Sequence, residues 1–241
     1  NQLNFNDSIS VRKKKILLIG DSFFFGIYLS EEETIAAKLE ENLGEDYTVF
    51  NLSVPAWGVD QMYLAYQKYI NIIQPDQIVF GFVDDDLMRS LEILFHGCGR
   101  KPCLKIENNQ LVENNDNPHW WEYLCWNNQI GNRLLVYYYQ KKALRLTTFM
   151  FEDIIENEKQ TKRSPIFIRI PAQVDLLHSE PRNIFDLTEM MKEEEVVYLS
   201  LYDSLKTLPE EKYKKLYIPD DGHFTEEGTS LMVRYLQKEI N

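Results

Sequence analysis

Cysteine is scarce: the 241 residues hold only Cys98, Cys103 and Cys125, with no Cys-x-x-Cys pair among them. That argues against a zinc site and against a fold built on disulfides. Cys98 and Cys103 flank Gly99-Arg100-Lys101-Pro102, a turn-like stretch that either closes a small disulfide loop or separates two free thiols. None of the three cysteines has the surroundings of a nucleophile. Long apolar runs are also missing. No stretch approaches the roughly 18–20 residues that a membrane helix requires. No signal-peptide pattern follows Asn1, and an upstream leader or anchor is compatible with that opening. Positive charge is in deficit, with 26 Lys and Arg against 38 Asp and Glu and a net charge of −12. A surface that tracks nucleic-acid phosphates needs clustered basic residues, so such a partner is not expected. The short run Arg12-Lys13-Lys14-Lys15 reads as a solvated lead-in to a strand.

What is present is globular in character. Hydrophobic residues make up 44% and charged residues 27% of the chain, enough to bury one substantial core, so residues 1–241 read as a single domain. Short runs rich in Val, Ile, Leu and Phe occupy residues 15–19, 47–52, 77–82, 166–170 and 196–201. Their lack of polar alternation is the mark of strands covered on both faces. Helical patterns lie between them. One starts near Ser30, with Ile35, Leu39 and Leu43 at helical spacing and Gly44 as a stop; others cover residues 60–73 and 225–240. Alternating β and α units predict an α/β fold, a three-layer α/β/α sandwich around a parallel sheet of about five strands. Residues 91–145 break the rhythm. They are aromatic and irregular, with Trp120-Trp121, Trp126 and Tyr137-Tyr138-Tyr139. Polar stretches at 107–110 and 113–117 suggest turns or a hairpin, and the whole reads as an insertion lying over the carboxyl edge of the sheet.

Two segments carry chemistry. Lys15 to Ile19 runs into Gly20-Asp21-Ser22, which delivers a hydroxyl at the carboxyl end of a buried strand, where open α/β sheets gather their ligands. Near the other end stands Asp220-Asp221-Gly222-His223, on a loop ahead of the last helix. A serine hydroxyl needs a base within hydrogen-bond reach, and the base needs an acid on its other nitrogen. Ser22, His223 and Asp220 supply those roles. His96, His119 and His178 have no comparable acid-and-turn context.

These motifs resemble, in order, those of the SGNH (GDSL-type) hydrolase superfamily. Gly20-Asp21-Ser22 matches its nucleophile block, and 51–58, Asn-Leu-Ser-Val-Pro-Ala-Trp-Gly, matches the block whose glycine N–H enters the oxyanion hole. Gly81-Phe82-Val83-Asp84-Asp85-Asp86 falls where the family has Asn-Asp, and Asp220 to His223 matches the closing Asp-x-x-His. The resemblance implies an acyl-ester hydrolase, with Ser22, His223 and Asp220 as triad and Ser22, Ala56 and Asp85 lining the oxyanion hole. Asp220 rather than Asp221 is the acid it selects. It implies no cofactor and no metal, a small-molecule or carbohydrate-linked ester as substrate, and an exported or envelope-anchored bacterial protein.

Two positions depart from the pattern. Ala56 stands for the family glycine, which leaves its N–H usable if φ is negative there. Asp85 stands for the family asparagine, and an ionised carboxylate can only accept hydrogen bonds. It would have to be protonated, with Asp84 and Asp86 as neighbours that favour this, or be turned aside. A metal site on the three aspartates has no second ligand cluster to support it. The same residues leave two alternatives open: a carbohydrate O-acyltransferase using the same triad, and a catalytically weak binding protein.

Overall fold

The computed structural model describes residues 13–95, 99–117, 129–177 and 185–240. The five expected strands are present: β1 (Lys14–Gly20), β2 (Tyr47–Asn51), β3 (Gln77–Phe82), and two later ones described below. Between them run the short α1 (Ser22–Phe25), α2 (Ile35–Leu43) and α3 (Val59–Ile73), and β3 is followed by α4 (Asp84–Arg89). The helix expected from Ser30 is divided. A 3-10 turn spans Glu31–Glu33, and Thr34 caps α2 by accepting from the Ala37 N–H.

Residues 91–145 hold a hairpin, as expected, but not an irregular segment throughout. Strands β4 (Leu104–Glu107) and β5 (Gln110–Glu113) pair antiparallel across Asn108 and Asn109. Both asparagines have positive φ, 49° and 61°, the signature of a two-residue primed turn. The helix α5 (Gln129–Gln160) then begins inside the expected insertion and runs well past its end. Ala143, Leu146, Met150, Phe151, Ile154 and Ile155 on α5 are buried in the main core. That periodic face makes the second half of α5 a structural layer. Trp120, Trp121 and Trp126 lie outside the described residues, as do His96, His119, His178, Cys98 and Cys125. Cys103 is a buried free thiol that donates to the Asn114 carbonyl.

Strands β6 (Ile166–Arg169) and β7 (Val197–Ser200) complete a parallel sheet in the order β2-β1-β3-β6-β7. Both faces are covered, which explains the continuous apolar strands. Leu17 and Ile19 face α3 and α5, while Ile16 and Leu18 face α1, α2 and the last helix, α6 (Glu226–Ile240). Successive strand side chains point to opposite faces, so one run of four apolar residues serves both layers. The α5 side is aromatic, with Phe80 and Phe167 stacked at 5.3 Å and Phe151 packed at 4.6 Å from Phe167. Among the described residues, no helix is long and apolar enough to cross a membrane.

The chain leaves β1 for β2 on one side and later returns to β3 on the other, so the order reverses at β1. In open parallel sheets such a reversal opens a crevice at the carboxyl ends of the strands. A buried ion pair ties the post-α4 segment to this region. Lys101 Nζ lies 2.8 and 3.1 Å from the two carboxylate oxygens of Asp60, in the first turn of α3. Burial pushes the Asp60 carboxyl up to about 6, opposed by the Lys101 charge.

Removing Lys101 strands that carboxylate. Lys101→Ala should destabilise the protein by about 3 kcal/mol. A buried acid with a raised pKa favours folding when protonated, and that contribution is lost as pH rises through its folded value. Without the Lys101 charge the Asp60 carboxyl rises further, so the penalty should be small below pH of about 6 and grow as pH rises above it. Urea denaturation of both proteins across that range measures it.

Candidate active site

Ser22 is placed by contacts to bare backbone. Phe24, on α1, is fully buried, and its ring lies so close to Gly81 of β3 that a Cβ there would come within 2.0 Å of it. A Cβ on Gly20 would meet Phe24 and the Gly81 carbonyl at 2.7 and 2.8 Å. With both side chains absent, α1 starts directly after β1. Asp21 caps it by accepting from the Phe23 N–H at 2.9 Å, and Gly26 closes it with φ 80°, donating to the Ser22 carbonyl. Ser22 stands at the first helical position, whose N–H has no intrahelical acceptor.

His223 reaches Ser22 from the far end of the sequence. Its Nε2 lies 2.7 Å from Ser22 Oγ, across 201 residues of chain. The loop that holds it is tight. Ile218 donates to the His223 carbonyl at 2.7 Å, Gly222 donates to the Ile218 carbonyl at 2.9 Å, and Tyr217 bridges Phe224. Phe23 packs on the imidazole at 5.1 Å, and the exposed Tyr28 ring meets it edge-on at 6.0 Å.

The acid on this histidine is Asp221, where the sequence reading has Asp220. Asp221 Oδ1 lies 2.5 Å from His223 Nδ1 and also accepts from the His223 N–H at 3.2 Å. Asp220 is exposed, at φ 63°. The left-handed residue belongs to the turn that reverses the chain, and the Asp221 carboxylate then folds back over its own loop. No signal in the sequence separates two adjacent aspartates; the choice follows from the loop's dihedrals. His223 holds the Asp221 carboxyl below the ordinary carboxylate range, with a smaller contribution from the Tyr28 hydroxyl. Only one imidazole tautomer suits both partners, with Nδ1–H donating to Asp221 and Nε2 accepting from Ser22.

Ala56 sits in the turn Val54-Pro55-Ala56-Trp57, closed by the Trp57 N–H on the Val54 carbonyl. Its φ is +64°, so the condition of negative φ is not met: alanine occupies a left-handed position after proline, where turns of this kind take glycine. The turn is held against the end of β1 by the Val54 N–H on the Gly20 carbonyl at 3.2 Å.

The acidic triplet divides its labour. Asp84 forms a two-pronged pair with Arg169 at the end of β6, at 2.6 and 2.7 Å. Asp86 is fully buried, accepts from the Val83 N–H at 2.9 Å and contacts the Arg89 guanidinium. Asp85 between them is exposed, and among the described residues no hydrogen bond or ion pair joins it to Ser22 or His223. The burial that a protonated donor would require falls on its neighbours, raising Asp84 and Asp86. Arg89 and Arg169 were not singled out by sequence. Arg89 had a signal, its spacing of three from Asp86 on one helix; Arg169 had none.

No protein-family model matches the sequence, and no curated protein matches it. Solved structures do. A lipase/acylhydrolase from Enterococcus faecalis is 16% identical, superposes over 94% of this chain and 95% of its own, and gives a TM-score of 0.57. A psychrotrophic esterase, EstA, from Pseudoalteromonas sp. is 11% identical, covers 95% and 97%, and also scores 0.57. AlinE4, an SGNH-hydrolase family esterase, is 15% identical, covers 95% of each chain, and scores 0.52. The α/β/α fold of this chain is the one those proteins share.

Two outcomes follow from the site geometry. Asp221→Asn should slow acylation of Ser22 by roughly 10⁴-fold through the wrong tautomer, and Asp220→Asn should leave it within a few-fold; stopped-flow acylation by an activated ester compares them. Ala56→Gly should raise stability by about 1 kcal/mol by relieving the left-handed alanine, read as a higher denaturation midpoint.

Proposed function

We propose that this protein is a serine hydrolase of oxygen esters, with Ser22 as nucleophile, His223 as base and Asp221 as the residue that orients it. One observation carries the reading: Ser22 Oγ, His223 Nε2, His223 Nδ1 and Asp221 Oδ1 form a continuous line with links of 2.7 and 2.5 Å. In this mechanism Ser22 Oγ attacks the ester carbonyl carbon while its proton passes to His223 Nε2. Asp221, ionised and on the opposite ring nitrogen, stabilises the imidazolium. The oxyanion takes a hydrogen bond from the Ser22 N–H, which has no intrahelical acceptor. His223 returns the proton to the departing alcohol, and water, activated by the same histidine, releases the acyl group. Asp85 is not needed as a donor in this scheme. The fold's likeness to structures named as esterases and as a lipase/acylhydrolase supports the reaction class.

Hydrolysis is favoured over transfer to a carbohydrate by the exposure of the dyad. The side chains of His223 and Asp221 are 24% and 31% accessible, so water reaches the base directly. A site that transfers acyl groups to an alcohol must keep water from that position.

EstA has been solved inhibited by monoethylphosphonate. By the same chemistry, a fluorophosphonate should label the intact protein at Ser22, found by peptide mass mapping, and p-nitrophenyl acetate turnover should disappear in Ser22→Ala. Labelling at another residue, or turnover that survives Ser22→Ala, would sink the proposal.

A further inference from the structure

Beneath the nucleophile lies a cluster of charge that the mechanism above does not use. Asp21 and Asp86 are both fully buried, one at the end of β1 and the other on α4. One guanidinium serves both: Arg89 contacts Asp86 directly and lies 3.9 Å from Asp21 Oδ2. Asp21 Oδ2 in turn accepts from the Ser22 hydroxyl at 3.2 Å. The remaining groups that face the pair are the N–H donors of Phe23 and Val83, with His223 and Asp85 nearby. Two buried carboxylates against one arginine leave an uncompensated negative charge, which a low-dielectric interior does not tolerate.

We propose that Asp21 and Asp86 hold one proton as a pair under Arg89, and that this proton keeps the Ser22 hydroxyl directed at His223. The idea deepens the reading of Ser22 as nucleophile and rests on it. A serine hydroxyl has one hydrogen, and here two acceptors compete for it, His223 Nε2 at 2.7 Å and Asp21 Oδ2 at 3.2 Å. When the pair holds its proton, the negative charge is offset by Arg89 and the shorter contact, to histidine, prevails. When the pair loses it, Asp21 carries a full charge, draws the hydrogen away from Nε2 and repels the charge that develops on Oγ during attack. Asp21 also attracts the imidazolium, but Oγ is its direct hydrogen-bonded neighbour, so the effect on Oγ dominates. Burial pushes both carboxyls up, and the Asp21 charge raises Asp86 further. Interacting carboxyls of this kind titrate as a unit. Asp21, Asp86 and Arg89 are thus positioning residues that act through the Ser22 hydroxyl.

The test is the rate of fluorophosphonate labelling against pH in the intact chain, together with the infrared carboxylic-acid band of the protein. The wild-type rate should fall on the alkaline side as the pair loses its proton. A protonated carboxyl should be visible at neutral pH and vanish along that falling limb. Asp86→Asn removes the like charge that holds the proton, so the limb should move to lower pH by about one unit, roughly tenfold in rate on the limb. Arg89→Gln removes the offsetting cation and should move it the opposite way. A merely structural role would not shift one limb in opposite directions. A wild-type rate with no alkaline fall, a limb that neither substitution moves, or no protonated carboxyl at neutral pH overturns the proposal. The infrared measurement on the wild type decides the question even if Asp86→Asn does not fold. Absence of labelling at every pH would instead strike the nucleophile assignment, and the infrared band would still report on the proton.

Discussion

The aromatic ring of Phe24 lying on bare glycine backbone is the contact on which the site depends. Gly20 and Gly81 are paired across β1 and β3, and neither has room for a Cβ beneath Phe24. Their bareness lets α1 fold back onto the sheet within one residue of the strand's end. Ser22 is thereby fixed at the point where the strand order reverses, with its hydroxyl turned toward the loop after Tyr217. A longer connection would have put the serine on a mobile segment, where the entropy of ordering it would oppose the alignment with His223.

Around that serine the acids differ by depth. Asp221 is exposed, paired with His223, and held in its ionised form by that pairing. Asp21, Asp84 and Asp86 are drawn into the body, where Arg169 from β6 meets Asp84 and Arg89 from α4 is shared by Asp21 and Asp86. A chain with a net charge of −12 therefore spends two of its arginines at this edge of the sheet. Removing charges from water is costly unless each has a partner, and here the partners come from elements that the sheet brings together. The pair formed by Lys101 and Asp60 follows the same rule at the start of α3.

Much of the fold was legible because strand and helix leave different periodic marks. Apolar runs at β1, β3 and β6 and helical spacing along α3 and α6 are properties of short windows, and windows are what a sequence displays. The whole of α5 was missed, because residues 129–145 mix aromatic and basic side chains without a clear stripe and the apolar spacing from Leu146 to Ile155 was not read as a helix. Ala56 was misjudged for a related reason. Its type suggests an ordinary negative φ, yet the turn after Pro55 requires the left-handed region, and anchoring to the Gly20 carbonyl maintains it.

The sequence by itself determined the alternating parallel architecture, the serine at the end of β1 and the histidine before α6, because each follows from local pattern and motif spacing. Tertiary structure alone decided which of two adjacent aspartates meets the imidazole, which of three is exposed on α4, and that Arg89 lies against the buried carboxylates beside Ser22. Those outcomes depend on the directions of side chains brought together from distant segments. Direction is set by dihedrals and packing, which residue identity does not encode one position at a time.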